Sequence, residues 1–225
     1  MHITGEDALD RYKQYVSGVD REFRRVHDKF ANRMQCRSGC SMCCSQMFSI
    51  SLIEAAYISR AVKAMAPGDR DRLRSAARSY VEQAKHLTGT AGKGTGEESL
   101  VPVPGLRFAC PALENDACSI YGARPIICRK WGIPIFNPKK PLELQACELN
   151  FSAGEEIDVE GLIEPQVELL EQWVQLKNRA KRDLNHVAAT ATVAEAILGD
   201  YEQLLLDGST QQEPIRDDNN DNKGK

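Results

Sequence analysis

Nine residues, Cys36-Arg37-Ser38-Gly39-Cys40-Ser41-Met42-Cys43-Cys44, hold four of the eight cysteines of the chain, and no other stretch constrains the fold as strongly. Cys43 and Cys44 are sequence neighbours, so an ordinary disulfide between them would be strained. Four reactive thiols packed so closely are better explained by a shared metal or cluster. The remaining cysteines, Cys110, Cys118, Cys128 and Cys147, lie in a second and distant segment. A fold that uses all eight therefore has to bring two separated pieces of chain together around sulfur.

On a helix or tight helical turn, Cys36 and Cys40 stand four apart and Cys40 and Cys43 three apart, which directs their sulfurs to one face, with Cys44 flanking it. None of the four histidines, His2, His27, His86 and His186, falls inside either cysteine segment. The pattern thus predicts an all-thiolate site, and soft ligands of this kind select zinc, copper(I) or iron–sulfur. Four thiolates around Zn²⁺ or a [4Fe–4S]²⁺ core carry a formal charge of about −2. Arg37, Arg107, Arg124, Arg129 and Lys130 lie beside cysteines and are candidates to compensate it. Pro125 opens Ile126 to Trp131 as a short helix, which would place Cys128 near the positive end and favour its thiolate.

Around these segments the periodicity is helical. Leu9, Tyr12, Val16, Val19, Phe23, Val26 and Phe30 recur three and four apart, predicting one long helix from Thr4 to Met34 with Glu6 and Asp7 at its N-terminal end. Gly18 weakens that helix by about 1 kcal/mol. The same spacing would serve a coiled coil, but a chain with several other helices is expected to pack this one within its own bundle. Ser51-Leu-Ile-Glu54 has the form of a capping box before a helix running to Ala66, which Pro67-Gly68 ends. Asp69 can cap a third helix, with Leu73, Ala76, Ala77, Tyr80, Ala84 and Leu87 as its buried stripe.

Thr88 to Gly105 is glycine-rich and reads as a flexible loop. Asn115-Asp116 between two short apolar runs predicts a small hairpin. Glu164 to Asp207 is read as two helical pieces broken near 185–192, with Val167, Leu170, Val174, Leu184, Ile197, Tyr201 and Leu205 buried. The expected fold is mainly α. A helical bundle scaffold over residues 1–207 frames an irregular cysteine-rich segment at about 36–147, followed by a disordered tail at 208–225 whose polar composition has nothing to bury.

Composition limits the partners. With 225 residues, 42% of them hydrophobic and 27% charged, the chain suits a soluble globular domain. A net charge of −3 with interleaved signs gives no reason to expect nucleic-acid or membrane binding. The N-terminus has no apolar core of a leader, and no stretch approaches the about 18 apolar residues of a spanning helix, so a cytoplasmic protein is expected. In that reducing compartment eight cysteines serve better as metal ligands than as staples.

The order Cys36-Arg-Ser-Gly-Cys40-Ser-Met-Cys43-Cys44, the Ser51-Leu-Ile-Glu54 helix start, Cys110-Pro-Ala-Leu113, Cys118-Ser-Ile-Tyr121 and Arg124-Pro-Ile-Ile-Cys128-Arg129 together resemble the YkgJ-type cysteine-cluster family, which carries the zinc- or iron-chelating CxxCxxCC domain. The chain departs from that pattern in having three residues between Cys36 and Cys40. The resemblance spans about 36–129, with Cys147 as a later member, and implies metal or iron–sulfur binding through Cys36, Cys40, Cys43, Cys44, Cys110, Cys118, Cys128 and Cys147. Because the family includes flagellin lysine N-methylases, it also admits methyl transfer or a redox activity. The glycine-rich stretch here follows a helix and not a strand, so no nucleotide-binding loop supports that reading. Cys36-x3-Cys40-x2-Cys43 also matches the spacing of radical S-adenosylmethionine enzymes, but the strand–helix repeats of their barrel are absent.

A third possibility is an interaction module in which structural zinc holds a surface for a protein partner. Between metals, an iron–sulfur cluster is expected ahead of zinc. Zinc is well served by two Cys-x2-Cys knuckles, whereas singly spaced cysteines suit a larger object in which each thiolate meets a different iron. Serine at Cys40, Cys43 or Cys128 is expected to lower metal retention sharply, and serine at Cys147 to do less. Deleting 209–225 should leave metal content and melting temperature unchanged; a loss of several degrees in thermal unfolding would show that the tail docks.

Overall fold

The computed structural model describes residues 2–37, 39–88, 100, 107, 109–140, 144–152, 155–184 and 190–207. The chain is mainly α. The first helix, α1, spans Gly5–Lys29 and starts at a reciprocal cap: Thr4 Oγ1 accepts from Asp7 N at 3.1 Å while Asp7 Oδ2 accepts from Thr4 N at 2.8 Å. Its core face carries Leu9, Tyr12, Val16, Val19 and Val26 as the spacing predicts. The helix stops at Lys29, short of Met34, and Phe30 turns inward to meet Phe151 edge-on at 5.4 Å.

β1, Ile50–Ser51, leads directly into α2, Leu52–Lys63, and the capping box read from the sequence is present, with Glu54 Oε2 accepting from Ser51 N at 2.9 Å. Eight of the twelve residues of α2 are buried, so it is the central helix of the bundle rather than an amphipathic one at its surface. Ala55, Ile58 and Val62 share one core cluster with α3, Pro67–Thr88, while Leu52, Ile53 and Ala56 share another with α1. Pro67 and Gly68 open α3 rather than merely ending α2, as a proline free of the helical donor requirement can in a first turn. Leu73, Ala77, Tyr80 and Ala84 are buried along α3, whereas Ala76 faces solvent.

The predicted hairpin forms from β2, Leu113–Glu114, and β3, Ala117–Cys118, paired antiparallel with Leu113 opposite Cys118. Asn115 and Asp116 take positive φ of 50° and 57°, the two-residue turn whose twist matches that of its strands. After it come the short helix α4, Ile126–Lys130, and an antiparallel pair of β4, Ile135–Phe136, with β5, Leu144–Gln145.

Among the described residues the C-terminal part has three helices where two were expected. They are α5, Ile163–Asp183, then α6, Val193–Leu198, and α7, Tyr201–Asp207, with β6, Thr190–Ala191, pairing antiparallel with β1 ahead of α6. Thr192 and Glu195 build a third capping box at the start of α6, after those of α1 and α2, and its signal lies in the sequence inside the stretch read as a break. The buried face of α5 also differs from the predicted one. Gln166, Trp173, Leu176 and Ala180 are buried, Val167 and Leu170 are half-buried, and Val174 is 41% exposed.

Tyr15 stacks on Trp173 at 5.4 Å, so α1 packs inside its own bundle. Ion pairs from Arg60 to Glu6 and Glu202, and from Lys63 to Asp200 and Glu202, tie α2 to the ends of α1 and α7. Among the described residues no helix is long and apolar enough to cross a membrane. The expected loop at 88–105 and the tail at 208–225 lie almost wholly outside the described residues.

At Gly5 the backbone of α7 comes close to α1: a Cβ there would sit 2.7 Å from Leu205 O and 2.9 Å from Leu206 Cα, and backbone cannot yield cheaply. Gly5→Ala should therefore destabilise the chain by about 1–3 kcal/mol. A Cβ on Gly18 would meet a methyl of Leu169 at 3.3 Å and the flexible end of Arg21 at 3.8 Å, with no backbone in the way. Because Gly18→Ala also gains up to about 1 kcal/mol of helix propensity, it should be close to neutral. Thermal unfolding followed by circular dichroism checks both; equal losses would show that the α1–α7 contact is not tight.

Candidate metal centre

Beyond α1 the chain turns through 30–33 before it reaches Cys36, and Gln35 N donates to Asn150 Oδ1 at 2.8 Å. Gly39, at φ +88°, lets it turn so that Cys40 N reaches Arg37 O at 3.0 Å. A 3₁₀ turn over Met42–Ser45 then carries Cys43 and Cys44, with Cys44 N on Ser41 O at 2.9 Å. Within this turn the two neighbours stay in contact, Cys43 donating its S–H to Cys44.

The second segment docks on this turn through main chain and side chain together. Cys110 N donates to Cys44 O at 2.7 Å, and Ser41 Oγ donates to Asp116 Oδ1 at 3.0 Å, holding the hairpin tip against the cysteine turn. Glu54 links the segments from below. While its Oε2 caps α2, its Oε1 accepts from Ile126 N at 3.1 Å and so caps α4 as well, setting the helix that bears Cys128. On the other side of α4, the buried guanidinium of Arg129 donates to Asp20 Oδ2 at 2.6 Å, to Arg124 O at 2.9 Å and to Gly122 O at 2.5 Å. Both helices therefore hold the second segment from positions that carry no sulfur.

All eight cysteines are free and partly buried. Cys44 lies within electrostatic reach of Cys43, Cys110, Cys128 and Cys118, gathering thiols from the first segment, the hairpin and α4. Cys36 instead has Cys40, Cys147 and Cys43 as its neighbours. Cys43 adjoins both sets. The structure thus brings the two sequence segments together, with Cys147 on the Cys36 side. Among the described residues, no three of these donors are already drawn in to the separation one ion's shell requires, so closure on a metal involves side-chain rotation.

Burial governs the protonation of these thiols. It pushes Cys128 well up and Cys110 up to about 11, and it raises Cys118 and Cys36. The expected thiolate at Cys128 is overturned, because desolvation outweighs the dipole of a helix of only five residues. Cys43 is raised mainly by donating its S–H to Cys44, which is lowered by the same bond. Of the five basic residues expected to offset thiolate charge, Arg124 is the one whose charge acts on Cys43, Cys118 and Cys128. Its guanidinium lies 3.8 Å from the Tyr121 ring centroid and 3.4 Å from Asp20 Oδ1. Arg129 is committed to Asp20 and carbonyls, burial lowers Lys130, and Arg37 and Arg107 face solvent.

Asn150 and Gly132 were not singled out by sequence reasoning. Asn150 is buried, and its Nδ2 donates to Gly132 O at 2.6 Å and to Cys36 Sγ at 3.4 Å. Gly132 has φ +112°, and a Cβ there would stand 2.5 Å from Cys36 Sγ. An asparagine and a glycine outside the cysteine motifs give no sequence signal of such a contact.

The donor set fits a thiophilic metal. It offers only sulfur, it comes from several local structures held by independent hydrogen bonds, and a cation stands beside it. Comparison with known proteins agrees. Residues 35–140 match the model of the CxxCxxCC family, a "Putative zinc- or iron-chelating domain". No curated protein and no solved structure matches the chain.

Removing the Glu54 carboxylate takes away the α2 cap and leaves Ile126 N unpaired. Glu54→Ala should cost about 2–4 kcal/mol, the sum of a lost cap and a stranded buried donor. Ser51→Ala loses the cap alone and should cost about 1 kcal/mol. Urea unfolding of both variants measures the difference; equal costs would show that the Glu54–Ile126 bond contributes nothing.

Proposed function

We propose that this protein, whose residues 35–140 match the model of the CxxCxxCC family, a "Putative zinc- or iron-chelating domain", binds an iron–sulfur cluster through thiolates from both cysteine segments. The observation that carries the reading is the gathering of Cys43, Cys44, Cys110, Cys118 and Cys128 beside Arg124. These thiols come from a 3₁₀ turn, a hairpin and a short helix, and no histidine belongs to the group. Sulfurs approaching from such separate pieces of backbone suit an object of several metal atoms, where each thiolate meets a different one.

The chain's own residues prepare that binding. Cys110, Cys118 and Cys128 are held protonated by burial, so uptake of metal releases protons and is favoured as pH rises. Arg124 offsets part of the negative charge that the thiolates bring. Asp20 and Tyr121 keep its guanidinium in place. Glu54 and Arg129 hold α4, so that Cys128 does not have to be ordered when the metal arrives. A bound cluster would supply one-electron chemistry at this half-buried position.

Anaerobic purification followed by assay of iron, acid-labile sulfide and zinc per chain tests the proposal. Stoichiometric iron and sulfide are expected, together with visible sulfur-to-iron absorption. A colourless protein carrying stoichiometric zinc and no sulfide would overturn the iron–sulfur reading in favour of a zinc site.

A further inference from the structure

Cys36 is where the chain departs from the CxxCxxCC spacing, and it is also where a side chain from beyond the matched residues 35–140 reaches a sulfur. Asn150 Nδ2 donates to Cys36 Sγ at 3.4 Å and to Gly132 O at 2.6 Å, while Asn150 Oδ1 accepts from Gln35 N at 2.8 Å. Two of these bonds tie main chain to main chain, and the third is aimed at the thiol. An asparagine kept only to join Gln35 to Gly132 would need one N–H. At a buried position the second would be stranded if sulfur did not take it.

The pieces of backbone that meet at this sulfur are anchored in one core cluster. Phe30 and Met34 precede Gln35, Ile133 follows Gly132, Phe151 follows Asn150, and these four pack together with Val26 and Leu162. Phe151 meets Phe30 edge-on at 5.4 Å, and the Arg33 guanidinium covers its ring at 4.6 Å. Cys147 O accepts from Asn150 N at 2.9 Å and from Phe151 N at 3.0 Å, which closes the turn that carries the amide. Gly132, at φ +112°, leaves open the space in which Sγ lies, since a Cβ there would stand 2.5 Å from it. The fold itself thus builds the pocket and places the donor.

A donor of this kind distinguishes the forms of sulfur. A thiol is a weak acceptor, whereas a thiolate receives a charge-assisted bond. The Asn150 contact is therefore strongest when Cys36 is a ligand, and hydrogen bonds to ligand atoms orient them and set how firmly a metal is kept. We propose that Asn150 is a positioning residue of the metal site: it holds Cys36 Sγ in the Gly132 pocket and stabilises the thiolate that Cys36 gives to the metal. The inference rests on the metal-binding reading above and adds to it a residue outside both cysteine motifs.

The test uses the full chain, purified anaerobically and saturated with excess metal, as wild type, Asn150→Asp, Gly132→Ala and Cys36→Ala, with folding checked by far-UV circular dichroism. Iron, sulfide and zinc per chain, retention against a chelator and sulfur-to-metal absorption are measured. Asn150→Asp keeps the volume and the acceptor for Gln35 N but removes the amide donor. It should weaken retention by about 10- to 100-fold and move the absorption to longer wavelength, because a sulfur without its donor gives up electron density more readily. Gly132→Ala leaves the amide in place and displaces Sγ from the pocket, so it should cause the same two changes and decides the matter if Asn150→Asp does not fold. Cys36→Ala should lose at least as much metal as either.

Unchanged absorption in a folded Asn150→Asp or Gly132→Ala chain would show that the amide serves the fold alone and would overturn the assignment. Full retention in Cys36→Ala would overturn it too, and would leave the metal-binding reading to the other cysteines. Stoichiometric zinc without iron, with the same losses, would overturn the iron–sulfur reading and uphold the role of Asn150. A wild-type chain that takes up neither metal would overturn both.

Discussion

The two oxygens of the Glu54 carboxylate join the halves of this protein. One closes the N-terminus of the central helix, and the other accepts the first free amide of the helix that carries Cys128. Helix N-termini expose donors that have to be satisfied, and here a single buried anion serves two of them. The cysteine segments are distant in sequence, and Glu54 belongs to neither. Its position between two helix ends fixes the distance between the first cysteine turn and the second segment before any metal is present.

Asp20 does the corresponding work from α1. It receives both Arg124 and Arg129, and Arg129, 4% exposed, spends its remaining donors on the carbonyls of Gly122 and Arg124. A buried guanidinium is costly unless every donor is met, and meeting them here locks the loop ahead of α4. Arg124 is thereby freed to act on the thiols. The division of labour between two arginines five residues apart follows from depth: the deeper one is structural, and the shallower one faces sulfur.

The same burial that organises the centre works against its ligands while they are empty. Desolvation keeps Cys110, Cys118 and Cys128 neutral, which protects unliganded thiols and makes their deprotonation part of metal uptake. A short helix end cannot reverse this. Five residues of α4 supply a weak dipole, and desolvation outweighs it at Cys128.

Much of the architecture was legible in residue order. The stripe of α1 shows in Leu9, Tyr12, Val16 and Val19, the capping box in Ser51 and Glu54, and the hairpin turn in Asn115-Asp116, because caps, turns and helical periods are local physics. The face of α5 was misread by one residue. Its core face contains Gln166, which gives its amide to Pro134 O and takes Phe136 N, so that counting apolar residues pulls the apparent stripe toward Val167 and Val174. A buried polar side chain is acceptable only once its partners are known, and those partners come from another element.

By itself, then, the sequence determined that the protein is helical and that sulfur is its chemistry, since both follow from residue type and spacing. Only the tertiary structure decided which thiols become neighbours, that the Asn150 amide reaches Cys36, and that Arg124 rather than Arg129 faces them. Those outcomes depend on contacts between residues far apart in the chain, and no local spacing encodes them.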